Sequence, residues 1–399
     1  MFRSHKKIRQ PHIPTGPIDT GSSFSNPTPD LSAAMPKKHW AWLHRLVGNR
    51  SSATYFAIAI TLIITVGAAL IFVIGSGKEP SLVETIIRPR PKEAPKYYSP
   101  LTGLETSEAN TTRPVTAIMI ENSTDARPQS GLKDAGIVYE AVAEGGITRF
   151  VALYQESRPS LIGPVRSVRP YYVEWASAYD PAVAHVGGSY RARQMVGSGN
   201  YGVDMDQFFN GNSYWRTNDR EAPHNVYTSF DKLDALRTQK GKTSSTFTPF
   251  PRLAVPKKSA KPAETPAVTA VSIDIGVGNG VYAVHYDYDA ASQTYARSHG
   301  STAHTDREGG RLAPRVVVAI KVNEFSALEG TDGYREQITT TGSGHAYVFQ
   351  NGGVIEGTWS RDGERAPLIL RGSDGGEISL ARGQTWITAL ANDKSVSWR

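Results

Sequence analysis

The chain has 399 residues, 44 Lys+Arg against 37 Asp+Glu, a net charge of +7 and a pI near 9.3. Its length exceeds one ordinary hydrophobic core and predicts two domains with additional segments. There is no cysteine, which excludes disulfides, thiol catalysis, Cys-ligated metals and a lipidated-cysteine anchor within this sequence.

The charge is unevenly placed. Residues 1–54 hold eight Lys/Arg against only Asp19 and Asp30, so six of the seven net charges belong to this tail. The remaining chain carries no electrostatic footprint for DNA, and no nucleic-acid partner is expected. Pro, Ser, Thr and Gly dominate the first 35 residues, predicting a disordered basic tail over 1–54. Trp40, Trp42 and Leu43 beside Lys37, Lys38 and Arg45 read as an interfacial anchor.

Tyr55 to Ile74 is a run of twenty residues without a charge, long enough to cross a bilayer as a helix and contact membrane lipid. The run is too long and starts too late for a cleaved signal peptide. Lys/Arg counts next to its two ends tie, and the basic tail breaks the tie. The expected topology is single-pass in the cell membrane, with a cytoplasmic N-terminus and extracytoplasmic C-terminal domains. Residues 75–96 contain four prolines and read as a stalk.

The first domain is expected over 97–242. Val115 to Ile120 reads as a strand ending at Glu121-Asn122. Ile137–Glu144 and Ile147–Glu156 flank Gly145-Gly146, a strong hairpin signal because a primed turn needs φ > 0. Pairing across that turn sets Glu144 opposite Ile147, Val142 opposite Arg149 and Glu140 opposite Val151. Glu140, Glu144 and Arg149 would then share one face. Pro170 starts a helix-like pattern through Tyr179, placing Arg166 and Arg169 at its N-terminus, where an anion is favoured. A structural pairing of these arginines with Glu140 or Glu144 is the competing reading.

Ala182 to Val186 is a further strand. It carries His185 and runs into Gly187-Gly188-Ser189, before a helix-like Tyr190 to Val196. Strand carboxyl ends collect ligands in α/β sheets, although a lone strand histidine is more often simply packed. His224 and Asn225 lie in the Pro-containing loop Arg220–Asn225, where Asn225 also suits a turn. Residues 243–269 shift to Pro, Lys, Ser and Thr and read as a linker or insertion. A strand-rich second domain is expected over 270–399, with runs at Val281–Asp287, Val316–Val322, Ala346–Phe349, Val354–Trp359, Leu368–Arg371 and Thr385–Ala389. The fold class is α/β or α+β: a mixed-sheet first domain and a strand-rich second one, preceded by one transmembrane helix.

His299, His304 and Asp306 in HGSTAHTD are an incomplete metal set, since no second cluster accompanies them. No P-loop, GxSxG elbow or dinucleotide fingerprint is present, so neither metal nor cofactor is expected. The remaining constellation is Glu121, Glu140, Glu144, Arg149, Arg166, Arg169, His185 and His224, with Ser189 and Asn225 beside it. Glu140 or Glu144 could act as acid or base, with His185 or His224 carrying a proton. Glu121, Arg149, Arg166, Arg169, Ser189 and Asn225 would hold an anionic substrate such as a cell-wall glycan. The same set describes a non-catalytic module for wall polymer or an envelope protein. An enzyme requires these side chains to meet in one pocket.

Several segments carry a family resemblance: SPLTGLE (Ser99–Glu105), RPVTAIMIEN (Arg113–Asn122), ARPQSGLKDAGIVYEAVAEGGITRF (Ala126–Phe150), IGPVRSVRPYY (Ile162–Tyr172), HVGGS (His185–Ser189) and APHNVYTS (Ala222–Ser229). GHAYVFQNGGVIEGTWSR (Gly344–Arg361) and GQTWI (Gly383–Ile387) extend it into the second domain. The chain resembles the YerB-like bacterial family, domain of unknown function 3048, over roughly residues 97–399. The resemblance implies an exported, membrane-tethered protein of two domains without an established activity, and it supplies no catalytic residues. Relatives are typically anchored by a lipidated cysteine, in whose place this chain offers Tyr55–Ile74.

Overall fold

The computed structural model describes residues 57–68, 95–255, 267–275 and 280–399. Two compact units divide the chain, Met1–Lys92 and Glu93–Arg399. In the first unit, residues 57–68 are helical and exposed. Among the described residues no helix is long and apolar enough to cross a membrane. The rest of the expected span lies outside the described residues, as do the basic tail and nearly all of the stalk.

The second unit is built on a ten-stranded mixed sheet. Five neighbouring strands come from the C-terminal part: Ile369–Gly372, Gly353–Arg361, Gly342–Gln350, Val316–Val322 and Thr385–Ala391. The next five come from the N-terminal part: Ile137–Glu144, Ile147–Tyr154, Thr116–Glu121, Ala182–His185 and Val203–Asp206. The halves join where Thr385–Ala391 runs parallel to Ile137–Glu144, with Trp386 beside Val138 and Thr388 beside Glu140. A second, five-stranded sheet contains Thr302–Ala303, Thr294–His299, Val284–Asp289, Ala270–Ile273 and Val396–Trp398.

Both faces of the large sheet are covered, so its central strands are apolar on both sides rather than alternating. Thr116–Glu121 is buried at every position. One face packs on the helix Pro170–Ser177 through Tyr139, Val151, Tyr172 and Trp175. The opposite face meets the helix Phe230–Gln239 through Ile118, Phe150, Phe230 and Leu233. On that same side Val142, Val317 and Phe349 pack with Val271, Tyr286 and Tyr295 of the smaller sheet.

Most expected elements are present with ends shifted by a few residues. The helix Phe230–Gln239 was not expected, although Ser229 caps it by accepting from the Lys232 N–H. Strands Thr294–His299, Glu324–Leu328 and Tyr334–Ile338 were also not anticipated. Residues 243–255 form no helix, and Pro251 to Leu253 are laid along Leu380 by two backbone bonds of 2.8 and 2.9 Å.

Candidate functional site

The Gly145-Gly146 turn forms as expected, with φ of +53° and +79°, and Glu144 pairs with Ile147. One step further the expected register fails. A bulge between Val142 and Glu144 sets Val142 opposite Thr148, Ala141 opposite Arg149 and Glu140 opposite Phe150. An extra residue in one strand reverses every side chain beyond it. Glu144 and Arg149 keep a common face, whereas Glu140 turns to the other side of the sheet.

There Glu140 is fully buried and takes up a structural role. Its Oε2 accepts from Arg297 Nη2 at 2.7 Å and Trp386 Nε1 at 2.9 Å, and Oε1 accepts from Thr148 Oγ1 at 3.2 Å. The Arg297 guanidinium lies 4.5 Å from the Trp386 ring centre, a cation–π contact. Arg297 Nη1 donates to His299 Nε2 at 2.7 Å and to His304 Nδ1. A guanidinium thus occupies imidazole acceptors that a cation at HGSTAHTD would need. Burial first, then the Arg297 charge, pushes both histidines far below their ordinary range, so both rings are neutral.

The first face gathers most of the remaining candidates. Arg149 Nη2 meets Glu144 Oε2 at 3.0 Å and Nη1 donates to the Ser167 carbonyl at 2.7 Å. Arg169 pairs with the other Glu144 oxygen, and its Nη1 donates to the Val168 carbonyl at 2.6 Å. Glu121 stands directly across the strand from Arg149. Its Oε1 accepts from Ser123 Oγ at 3.1 Å and His224 Nδ1 at 3.0 Å, and lies 3.3 Å from Arg166 Nε. Asn225 Oδ1 accepts from Arg216 Nη1 at 2.7 Å, and the Arg216 charge is felt at Arg166.

Arg149, Arg166 and Arg169 face Glu121 and Glu144, and the charges of Glu329, Arg335 and Arg216 are also felt here, so guanidinium outnumbers carboxylate. The Arg149 and Arg169 side chains are only 5% and 9% exposed, and each keeps a buried Nε without a hydrogen bond. Arg166 Nε is at ion-pair distance from Glu121 but not aligned for a hydrogen bond. Burial lowers the pKa of all three, and at Arg166 the Arg149 and Arg216 charges add to it. Glu121 Oε2 is likewise buried without a hydrogen bond. Guanidinium charge in excess, partly desolvated and with donors uncommitted, favours an incoming anion.

His185 does not join this group. It is 1% exposed, with Nδ1 2.8 Å from the Gly187 carbonyl and Nε2 3.0 Å from Asp204 Oδ1. With both ring nitrogens taken, it fixes the turn beyond its strand and is not presented to a substrate. Burial would raise the Asp204 pKa, but the His185 hydrogen bond and charge outweigh it, leaving a net lowering. Asp206 completes the turn by accepting from Gly187 N at 2.9 Å. Ser189 occupies the N-cap of Tyr190–Gly197, its buried Oγ without a hydrogen-bond partner. The expected single pocket is therefore split: Glu121, Glu144, Arg149, Arg166, Arg169 and His224 are together, Asn225 is tied in through Arg216, and Glu140 and His185 are elsewhere.

Sequence reasoning missed Arg297, Trp386 and Arg216. The first two meet Glu140 from 157 and 246 residues away, a separation that leaves no local signal. The one hint was the histidine pair in HGSTAHTD, an incomplete metal set whose guanidinium neighbour is not visible from the sequence.

This architecture, one sheet shared by an N-terminal and a C-terminal segment, has a counterpart among known proteins. The chain belongs to the DUF3048 family of proteins of unknown function: residues 101–244 match its N-terminal domain and residues 273–387 its C-terminal domain. It is 38% identical over 304 residues to the putative lipoprotein YerB of Bacillus subtilis (strain 168), covering 75% of this chain and 88% of that protein. The crystal structure of YerB from Bacillus subtilis superposes with a TM-score of 0.67 at 33% identity, over 76% of this chain and all of that one.

Proposed function

We propose that this is an envelope-associated binding module whose Glu93–Arg399 unit lies outside the cytoplasmic membrane and takes an anionic group at the Arg149–Arg166–Arg169 cluster. The carrying observation is the excess of buried guanidinium over carboxylate, with two Nε–H groups unpaired. The ligand class is a phosphate- or carboxylate-bearing wall polymer, with an acidic envelope protein as the second candidate. Turnover of a glycan is the weaker reading. Glu140 is on the far face, both nitrogens of His185 are occupied, and Glu121 and Glu144 are each tied to arginine.

His224 Nε2 keeps one ring position open toward the surface, with Asp125 3.9 Å away, so a proton-transfer role would fall to it. Envelope placement is supported by the name of the YerB relative, a putative lipoprotein. Since this sequence contains no cysteine, Tyr55–Ile74 takes the anchoring part in this reading, with residues 1–54 cytoplasmic, 75–96 as stalk, 97–242 and 270–399 as domains and 243–269 joining them.

The test is titration of the full chain in detergent with inorganic phosphate and with isolated anionic wall polymer. Arg166→Gln should weaken binding by about tenfold or more, the usual scale of one charge-assisted contact, and added salt should do the same. Unchanged affinity in Arg166→Gln and Arg169→Gln would remove the basis for this site. Protease treatment of intact cells checks the topology, because survival of the C-terminal unit contradicts it.

A further inference from the structure

A cavity of about 600 Å³ opens on the other side of the large sheet, between the turn at Thr124–Pro128 and the hairpin of Thr294–His299 with Thr302–Ala303. Its walls include Arg127, Val281, His299, Ser301, Thr302 and Ala303. His299 is 6% exposed, and its hydrogen bonding fixes the tautomer. Because Arg297 Nη1 donates to Nε2 at 2.7 Å, the ring proton sits on Nδ1, and that buried Nδ1–H has no hydrogen-bond partner. His304, also in the wall, has no such opening: it accepts at Nδ1 and its Nε2 donates to Gln129 Oε1 at 2.9 Å. A buried N–H left unpaired costs free energy unless an acceptor reaches it.

Arg127 is the second donor. Its Nε bonds Asn122 Oδ1 at 3.0 Å and Nη2 the Asn122 carbonyl at 3.1 Å, while Nη1 reaches the Val281 carbonyl only at 3.4 Å. Stacking over Tyr282 at 5.0 Å holds the guanidinium plane in place. Two of its N–H groups stay uncommitted among the described residues, since a guanidinium carries five. The positive charges felt at the two neutral histidines are Arg127, Arg297 and Arg311, and Arg297 is paired with Glu140. The rest of the lining is apolar or hydroxylic: Pro128, Val281, Ala303, Ser301 and Thr302.

We propose that this cavity is a binding site for a small monoanionic carboxylate with a compact, partly apolar body, whose oxygens accept from His299 Nδ1–H and from Arg127. Two donors among apolar and hydroxylic walls match a carboxylate on a small, partly apolar body, and the volume lies in the range of small-ligand pockets. The site is separate from the arginine cluster, and neither requires the other.

The full chain, with ring nitrogens labelled by ¹⁵N, is titrated with N-acetyl-L-alanine, its uncharged amide and inorganic phosphate. The expected result is saturable binding of the carboxylate, a shift of the His299 Nδ1 resonance, and an amide weaker by about tenfold or more. Ala303→Trp, at an exposed hairpin position, should block the cavity without touching the core, and Arg127→Gln should weaken the carboxylate selectively. Arg166→Gln should leave this binding unchanged, which distinguishes the outcome from failure of the first site. Equal binding of acid and amide, binding that survives Ala303→Trp, preference for phosphate, or no His299 response up to about 10 mM ligand would each overturn the proposal.

Discussion

Replacing Glu140 by glutamine keeps the shape of the side chain and removes its charge from a fully buried position. The carboxylate accepts three hydrogen bonds, from Arg297, Trp386 and Thr148. Glutamine offers one carbonyl oxygen, so its amide group must face at least one of these donors. Arg297 is left as an uncompensated charge with 0% of its side chain exposed. Breaking a buried pair from one side costs about 3–5 kcal/mol, a large part of the roughly 5–15 kcal/mol that stabilises a folded protein. Urea unfolding of Glu140→Gln should therefore show a midpoint lowered by more than about 1 M, for a slope near 3 kcal/mol/M. Arg297→Met should be similarly damaging, and a double-mutant cycle should give a coupling of at least about 2 kcal/mol. A catalytic Glu140 would behave differently, giving a stable but inactive protein. A Glu140→Gln variant within about 1 kcal/mol of the parent, or strictly additive mutants, would refute the structural assignment.

Acid sensitivity provides a second check. Burial and Arg297 hold His299 and His304 neutral in the folded state, whereas the unfolded chain protonates them below about pH 6.5. The unfolded state then binds more protons, so stability is lost as pH falls below about 6.5, by about 1.4 kcal/mol per unit for each histidine, measurable as the pH slope of urea midpoints. Asp204 adds a smaller loss at lower pH, because its folded pKa is depressed below the unfolded one, and Asp204→Asn should remove that component. Gly188→Ala tests the turn after Ala182–His185: a Cβ there would lie 2.5 Å from Val168 Cγ1 and 2.9 Å from the Val168 carbonyl oxygen. A loss of about 1–3 kcal/mol in thermal or urea unfolding is expected from that overpacking. Ser123→Ala should weaken anion binding at the arginine cluster far less than Arg166→Gln, since Ser123 bonds Glu121 and His224 and none of the three arginines. A titration comparing the two variants decides this.

Local chemistry determined a good deal of this protein from its sequence. Gly145-Gly146 set the hairpin because only a residue free of a Cβ takes two successive positive φ angles cheaply. Pro170 opened the following helix, and the apolar runs Thr116–Glu121 and Val316–Val322 became buried strands. The gathering of Glu144, Arg149 and Arg169 also followed, because these residues lie on one hairpin and the start of the next helix. Glu140 was decided by tertiary structure alone. A single bulged residue turned it to the other face, where Trp386 arrives on the strand paired across the join and Arg297 from the smaller sheet. Alternation along a strand fixes which side chains share a face only while the register is unbroken. Nothing local at Ala143 marks the break, and long-range pairing leaves no period in the chain. For the same reason His185 could be read as a proton carrier until Asp204 and Gly187 were seen to occupy both its nitrogens.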